Sequence, residues 1–360
     1  MRVLVNGENQ ILSKEKNFGA FICRILCQVC RLHPDTTFIF LSSDNNSSLP
    51  ANSLPIQTKV PLLAKPVSEL WHKRNLKSQI KKHNADLLIS LNGIPLNADV
   101  RQLLIIGDGT SLITIRKAVS HVKRSSRCRI ITHSLTAKQK MVAQGLNEVA
   151  VVVLPQSPAP IYQPFSWEQR ERVTAKHTGG RAYFLMLLND TPDAHIVNTL
   201  KAFSQFKKWQ RSNMQLILLG TAINQKAIDR LLLTYKYRED VQLPGKKPGE
   251  ADYAQMLASC MAMIYFPSGE GTAIVLAEAM QCGTPVITKD TDTLHEAGGD
   301  AVLFCDPTDV SRISGEMVKL YKDEKFRNGL SASAKDFTLL RSEENAVRLL
   351  SAYIQQTDTR

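Results

Sequence analysis

Short apolar runs rich in Val, Ile and Leu recur along the chain, separated by longer stretches whose apolar positions follow a helical period. They are RVLVN, TFIFLS, DLLISL, QLLIIG, RIIT and EVAVVVL, then AYFLMLL, MQLILLG, AMIYF, PVIT and AVLFC. Strands that are apolar on both faces and alternate with helices predict parallel sheets covered on both sides. Between the two series lies LPQSPAPIYQPF (154–165), whose prolines interrupt regular backbone pairing. The pattern predicts an α/β protein of two doubly wound Rossmann-like domains, residues 1–160 and 161–360, with a cleft between them.

In such sheets ligands bind outside the carboxyl ends of the strands, so the residues after each strand are where chemistry is expected. In the second series these are Asn189 and Asp190, Gly220, the stretch from Pro267 to Thr272, and Lys289. The richest segment is GEGTAIVLAEAMQCGTPVIT (269–288), in which two carboxylates, Glu270 and Glu278, interrupt an apolar stretch. Glu270 falls in the loop after a strand. Ile274 to Cys282 reads as a helix, with Gly283 as its stop signal and Pro285 opening the next strand. Backbone amides of Gly271, Thr272 and Ala273 at the start of that helix suit a phosphate or polyhydroxyl ligand. Glu278, two turns along among apolar neighbours, needs a hydrogen-bonding partner if it is buried.

Composition narrows the class. At 360 residues, with 43% apolar and 22% charged, the chain has material for two ordinary cores and too much apolar content for a disordered protein. No apolar run approaches the roughly 18 to 20 residues needed to cross a bilayer, and MRVLVNG opens as a core strand, so a cytoplasmic location is expected. Seven scattered cysteines show no paired metal-ligand spacing. Cys23, Cys27 and Cys30 share a helix face with Ile22, Leu26 and Val29 and read as small core residues, although Cys27 and Cys30 are formally Cys-x-x-Cys.

Charge is segregated. Residues 1–160 carry 21 Lys and Arg against 9 Asp and Glu, whereas residues 161–360 carry 24 against 24, so the whole excess of +12 sits in the first half. Much of it lies in WHKRNLKSQIKKHN (71–84) and RKAVSHVKRSSRCR (116–129), two basic helical stretches. They predict an anionic partner, such as an acidic lipid surface or acidic ligand, reached through residues 71–84 and 116–129. Nucleic acid is disfavoured, because no aromatic side chains interleave the basic ones and no reading motif is present.

The segment from Glu270 to Ile287 resembles the retaining glycosyltransferases of family 4 (group 1), which have the GT-B fold. Their signature is Glu, seven residues, Glu, and here Glu270, Glu278, Ala279, Met280, Cys282, Gly283, Thr284, Pro285, Val286 and Ile287 match it. HEAGGDAVLFCDPTD (295–309) and LPGKKPGEADYAQMLASCMAMIYFPS (243–268) resemble its flanks. The resemblance implies a hexose transferred from a nucleotide sugar to a glycan or anionic lipid-linked acceptor, as in cell-surface polysaccharide synthesis. It implies no metal cofactor. Glu278 would hold the ribose, while Glu270, Gly271 and Thr272 would cradle donor sugar and phosphate.

Departures from the family pattern are specific. With Pro192 as anchor in LLNDTPDAH (187–195), Asn189 stands where the family has an arginine beside the diphosphate, and Ala194 where it has a lysine. Gly107-Asp108 stands where it often has His-Asp, so Asp108 is the remaining candidate catalytic group on the first domain, and paired glycines near the first helix are reduced to Gly19. Lys246, Lys247 and Lys289 are the cations that could replace the lost pair. Asp290-Thr291-Asp292 formally matches an Asp-x-Asp metal triplet but reads as a helix start, His133 after a strand fits a structural or a cleft role, and His195 fits a helix cap. These departures leave a second reading, a GT-B-like protein that binds nucleotide, glycan or a protein partner without transfer, and a third, a nucleotide-sugar epimerase.

Overall fold

The computed structural model describes residues 1–6, 18–42, 49–57, 65–107, 110–188, 190–220, 224–244, 248–269 and 272–356. They form two compact units, Met1–Gln156 together with Glu343–Arg360, and Ser157–Ser342. Described residues of the first unit form a seven-stranded sheet. Its strands are β1 (Arg2–Asn6), β2 (Thr37–Ser42), β3 (Ser53–Gln57), β4 (Leu87–Ser90), β5 (Arg101–Ile106), β6 (Cys128–Thr132) and β7 (Val151–Val153), in the order β3-β2-β1-β4-β5-β6-β7. All pairs are parallel, with Val3 in register with Phe38 on one side and Leu87 on the other.

The second unit repeats this plan with β8 (Tyr183–Leu187), β9 (Gln215–Leu219), β10 (Val241–Gln242), β11 (Ala262–Tyr265), β12 (Val286–Thr288) and β13 (Leu303–Phe304), ordered β10-β9-β8-β11-β12-β13 and again all parallel. In each sheet the order reverses beside the first strand, between β1 and β4 and between β8 and β11. Successive crossover helices must therefore go to opposite faces, and their divergence opens a crevice at the carboxyl ends.

Alternating residues of each strand face different cores. In the first unit Val3, Val5, Leu87, Ile89 and Ile105 pack with the helix Phe18–Leu32. On the opposite face, Leu4, Ile39, Leu41 and Leu88 meet Leu76 of the helix Lys65–His83, and Leu104, Ile106 and Ile130 meet the helix Leu112–Val122. Cys23 and Cys30 are buried in the first of these cores, and Cys27 on the same helix is half-buried; burial raises all three thiols, that of Cys30 to about 12, as expected of small core residues.

The carboxyl-terminal helix Glu343–Gln355 differs from the expected division, which placed everything beyond residue 160 in the second domain. Its stripe of Ala346, Val347, Leu350 and Ile354 is buried against Phe18–Leu32, and Glu343 pairs with Arg24 at 3.3 Å. An amphipathic stripe records that a helix covers a core but not which core. With this helix returned, the first unit carries a net charge of +11 and the second +1, so the charge asymmetry persists. Among the described residues no helix is long and apolar enough to cross a membrane.

Leu350 is fully buried in the first unit's core. Leu350→Ala is expected to cost that unit about 2–5 kcal/mol, read as faster amide exchange across β1–β7 with β8–β13 unchanged. Unchanged exchange in β1–β7 would show that the helix is not part of that core.

Candidate functional site

The reversal point of the second sheet gathers the loops after β8, β11 and β12. After β8 the backbone turns sharply. Asp190 takes a left-handed φ of 60°, a conformation Asp tolerates better than most residues, and buried Thr191 donates its hydroxyl to the Leu187 carbonyl at 2.8 Å. This turn starts the helix Asp193–Gln210 with Pro192 at its cap. Ser268, after β11, clasps the turn: its amide donates to the Asp190 carbonyl at 2.7 Å and its hydroxyl to Asp190 Oδ1 at 2.6 Å.

Two cationic or titratable side chains border this clasp. Lys289, directly after β12, donates from Nζ to the Ser268 carbonyl at 3.4 Å. His195 Nδ1 lies 3.2 Å from the Phe266 carbonyl, which can only accept, so that nitrogen carries the proton. His195 thus ties its helix to the β11 loop and is not the cap of that helix.

The segment after the clasp leads into the helix Ala273–Gln281. Its cap, Thr272, is extended and makes no side-chain capping bond, so Thr272 does not cover the first amides of this helix. Gly283 follows with φ of 71°, the left-handed stop that the sequence predicted. Glu278 is only 3% exposed. A buried carboxylate needs donors, and the single Tyr162 hydroxyl proton is shared between Glu278 and Glu250 Oε1, the latter at 3.3 Å. Tyr253 lies edge-to-face with Tyr162 at 6.1 Å. Burial, then the Glu278 charge, pushes both phenols well above their ordinary range, so both remain protonated.

Of the predicted site residues, Lys289 is placed at the crevice, Thr272 and Ala273 open the helix, and Glu278 lies inside it. Glu270, Gly271, Asp108, Asn189, Lys246 and Lys247 lie outside the described residues. Ala194 occupies the first turn of Asp193–Gln210 and carries no charge. In the triplet, Thr291 caps the helix Asp292–Gly298 and Asp290 pairs with His295 at 3.2 Å. Among the described residues no three His, Cys, Asp or Glu side chains come together as a metal-ligand set. On the first unit, His133 sits edge-on to the Phe18 ring at 5.6 Å. A Cβ at Gly107 would lie 2.4 Å from the Phe18 Cβ, so packing leaves no room for an imidazole there. Tyr162 and the Ser268–Asp190 clasp had no signal in the sequence beyond their places after the linker and after two strands.

Residues 168–337 match the family model for glycosyl transferases group 1. O-antigen chain mannosyltransferase B from Escherichia coli is 30% identical over 164 residues, 44% of this chain and 42% of that protein, so the match spans well under two thirds of the relative. A glycosyltransferase from Rickettsia africae ESF-5 superposes with a TM-score of 0.75 at 12% identity, covering 99% of both chains. Alr3699/HepE of Anabaena, solved in complex with UDP, superposes with a TM-score of 0.74 at 14% identity, covering 98% of this chain and 99% of that one. At these identities the superpositions establish the fold, two parallel-sheet α/β domains of the GT-B type.

Tyr162→Phe removes a donor from a buried carboxylate and is expected to cost about 1–3 kcal/mol, read in urea melts of the whole protein. A melt identical to wild type would show that Glu278 does not depend on this hydroxyl.

Proposed function

Because residues 168–337 form a glycosyl transferases group 1 domain, we propose that the protein transfers a hexose from a nucleotide sugar, with retention, to a glycan or anionic lipid-linked acceptor. The observation that carries this reading is Glu278, a carboxylate buried on the helix that starts at the reversal point of the second sheet. An ionised carboxylate offers about four acceptor positions. Tyr162 takes one, and paired ribose hydroxyls are the chemistry that would use others. The amides of Gly271, Thr272 and Ala273 would then face the diphosphate, with Lys289 as the nearby cation. Glu270, and Asp108 on the first domain, are the catalytic groups of this reading, with Asn189 and Lys246 as further donor contacts.

During transfer the bond between the anomeric carbon and the diphosphate oxygen breaks, a bond forms from that carbon to the acceptor hydroxyl oxygen, whose proton passes to the leaving diphosphate, and negative charge builds on that diphosphate as it departs. Preorganised amides and a cation stabilise that charge more in the transition state than in the ground state. The proposal needs no metal. The O-antigen relative and the UDP complex support a nucleotide-sugar donor and a polysaccharide product. The same reading places the protein in the cytoplasm, at the inner face of the membrane through residues 71–84 and 116–129, and without a nucleic-acid partner. Ala194, uncharged where a lysine is usual in the family, favours a second reading: nucleotide or glycan binding without turnover.

Thermal unfolding against UDP, GDP, ADP, CMP and dTDP tests the donor site. One nucleotide at about 100 times its dissociation constant should add about 2.7 kcal/mol, a shift of several degrees, and the shift should vanish in Glu278→Ala. No shift from any nucleotide, or the same shift in the variant, overturns the assignment. Release of nucleoside diphosphate from the matching sugar nucleotide, with acceptor present, then separates transfer from binding alone.

A further inference from the structure

The chain leaves β11 at the reversal point of the second sheet, and its ladder ends there in steps: pairing with β8 stops at Ile264 and with β12 at Tyr265. Tyr265 and Phe266 are both buried, and a buried carbonyl at or beyond the end of a ladder needs another donor. Side chains supply it. Thr288 of β12 donates its hydroxyl to the Tyr265 carbonyl at 2.7 Å, and His195 donates from Nδ1 to the Phe266 carbonyl at 3.2 Å. Two residues on, Ser268 makes its clasp with Asp190 and accepts from Lys289.

His195 is itself held in place. Its neighbour Ile196, with Leu200 and Phe203 of the same helix, is buried in the core that also takes the Phe266 side chain. The imidazole stands edge-on to that ring, with centroids 6.4 Å apart. Two other side chains near the start of this helix reach out in the same way: Asp193 Oδ1 accepts from the Asn224 amide at 3.3 Å, and Asn198 donates from Nδ2 to the Pro307 carbonyl at 3.1 Å. The start of Asp193–Gln210 thus reaches the chain after β9, after β11 and after β13. Of these three contacts, that of His195 falls on the segment that runs on to Glu270, four residues beyond Phe266.

The chemistry of the ring makes this contact separable from others that a histidine could serve. Nδ1 is bonded directly to Cγ, so two side-chain torsions set the place of this donor. An asparagine amide nitrogen occupies the same place relative to the backbone, whereas a glutamine amide nitrogen falls where Nε2 lies. The two substitutions therefore distinguish a brace through Nδ1 from a ligand contact through Nε2.

We propose that His195 is a positioning residue. Through Nδ1 it fixes the end of β11, and with it the Ser268 clasp, as the frame from which the following segment meets ligand. In the glycosyl-transfer reading, on which only the identity of that ligand rests, the ligand is the donor nucleotide.

Amide exchange of the unliganded whole protein reads the brace directly at Ser268, whose amide is protected by the Asp190 carbonyl. His195→Ala and His195→Gln should speed exchange in peptides spanning Ser268 by about tenfold or more, while His195→Asn should stay within about threefold of wild type. Calorimetric titration of the same four proteins with the nucleoside diphosphate that gives the largest thermal shift should follow the same order, about tenfold or more weaker in Ala and Gln and near wild type in Asn. Wild-type exchange or wild-type affinity in His195→Ala, or equal losses in Asn and Ala, overturns the proposal. So does affinity kept in Gln but lost in Asn, which would place Nε2 on the ligand. Exchange that rises equally across β8–β13 in His195→Ala would show a role in overall stability alone and overturns it as well. The donor reading fails separately: if the wild type binds no nucleotide, exchange at Ser268 still decides the brace.

Discussion

A parallel sheet whose strand order reverses beside its first strand cannot be covered evenly at its carboxyl edge, and both units of this protein are organised around that constraint. Strand order reverses there, between β8 and β11 and between β1 and β4, so the crossover helices on either side diverge to opposite faces. Every candidate group of the second unit that the structure describes follows from this. The Asp190–Ser268 clasp joins the two diverging loops, Lys289 arrives from the adjacent strand, and the helix Ala273–Gln281 runs between β11 and β12.

The buried carboxylate is the costly element within that frame. A charged group in an apolar helix is unfavourable unless donors meet it. Here Tyr162, from the proline-rich passage, donates to Glu278 and packs against Tyr253 of the helix Glu250–Ser259, and both phenols stay protonated because burial and that same charge oppose ionisation. The Tyr162 donor that makes burial tolerable also restricts the orientation of the carboxylate.

Much of the architecture was legible in the sequence. Strands apolar on both faces could only belong to covered parallel sheets, and Gly283 marked its helix end because only glycine takes that φ readily. The pairing of Glu278 with Tyr162 was illegible, since 116 positions separate them and nothing local records such a contact. The helix Glu343–Gln355 was assigned by sequence order, whereas its apolar stripe fits the first unit. Gly107 read as a lost histidine; its backbone in fact lies too close to Phe18 for any side chain. The basic stretches were visible as charge.

The most direct test of the central claim is a crystal structure with the nucleoside diphosphate that binds most tightly. The account predicts its ribose on the Glu278 carboxylate and its diphosphate at the start of the helix Ala273–Gln281 beside Lys289. Nucleotide bound to the first unit, or to the second unit away from Glu278, would contradict it.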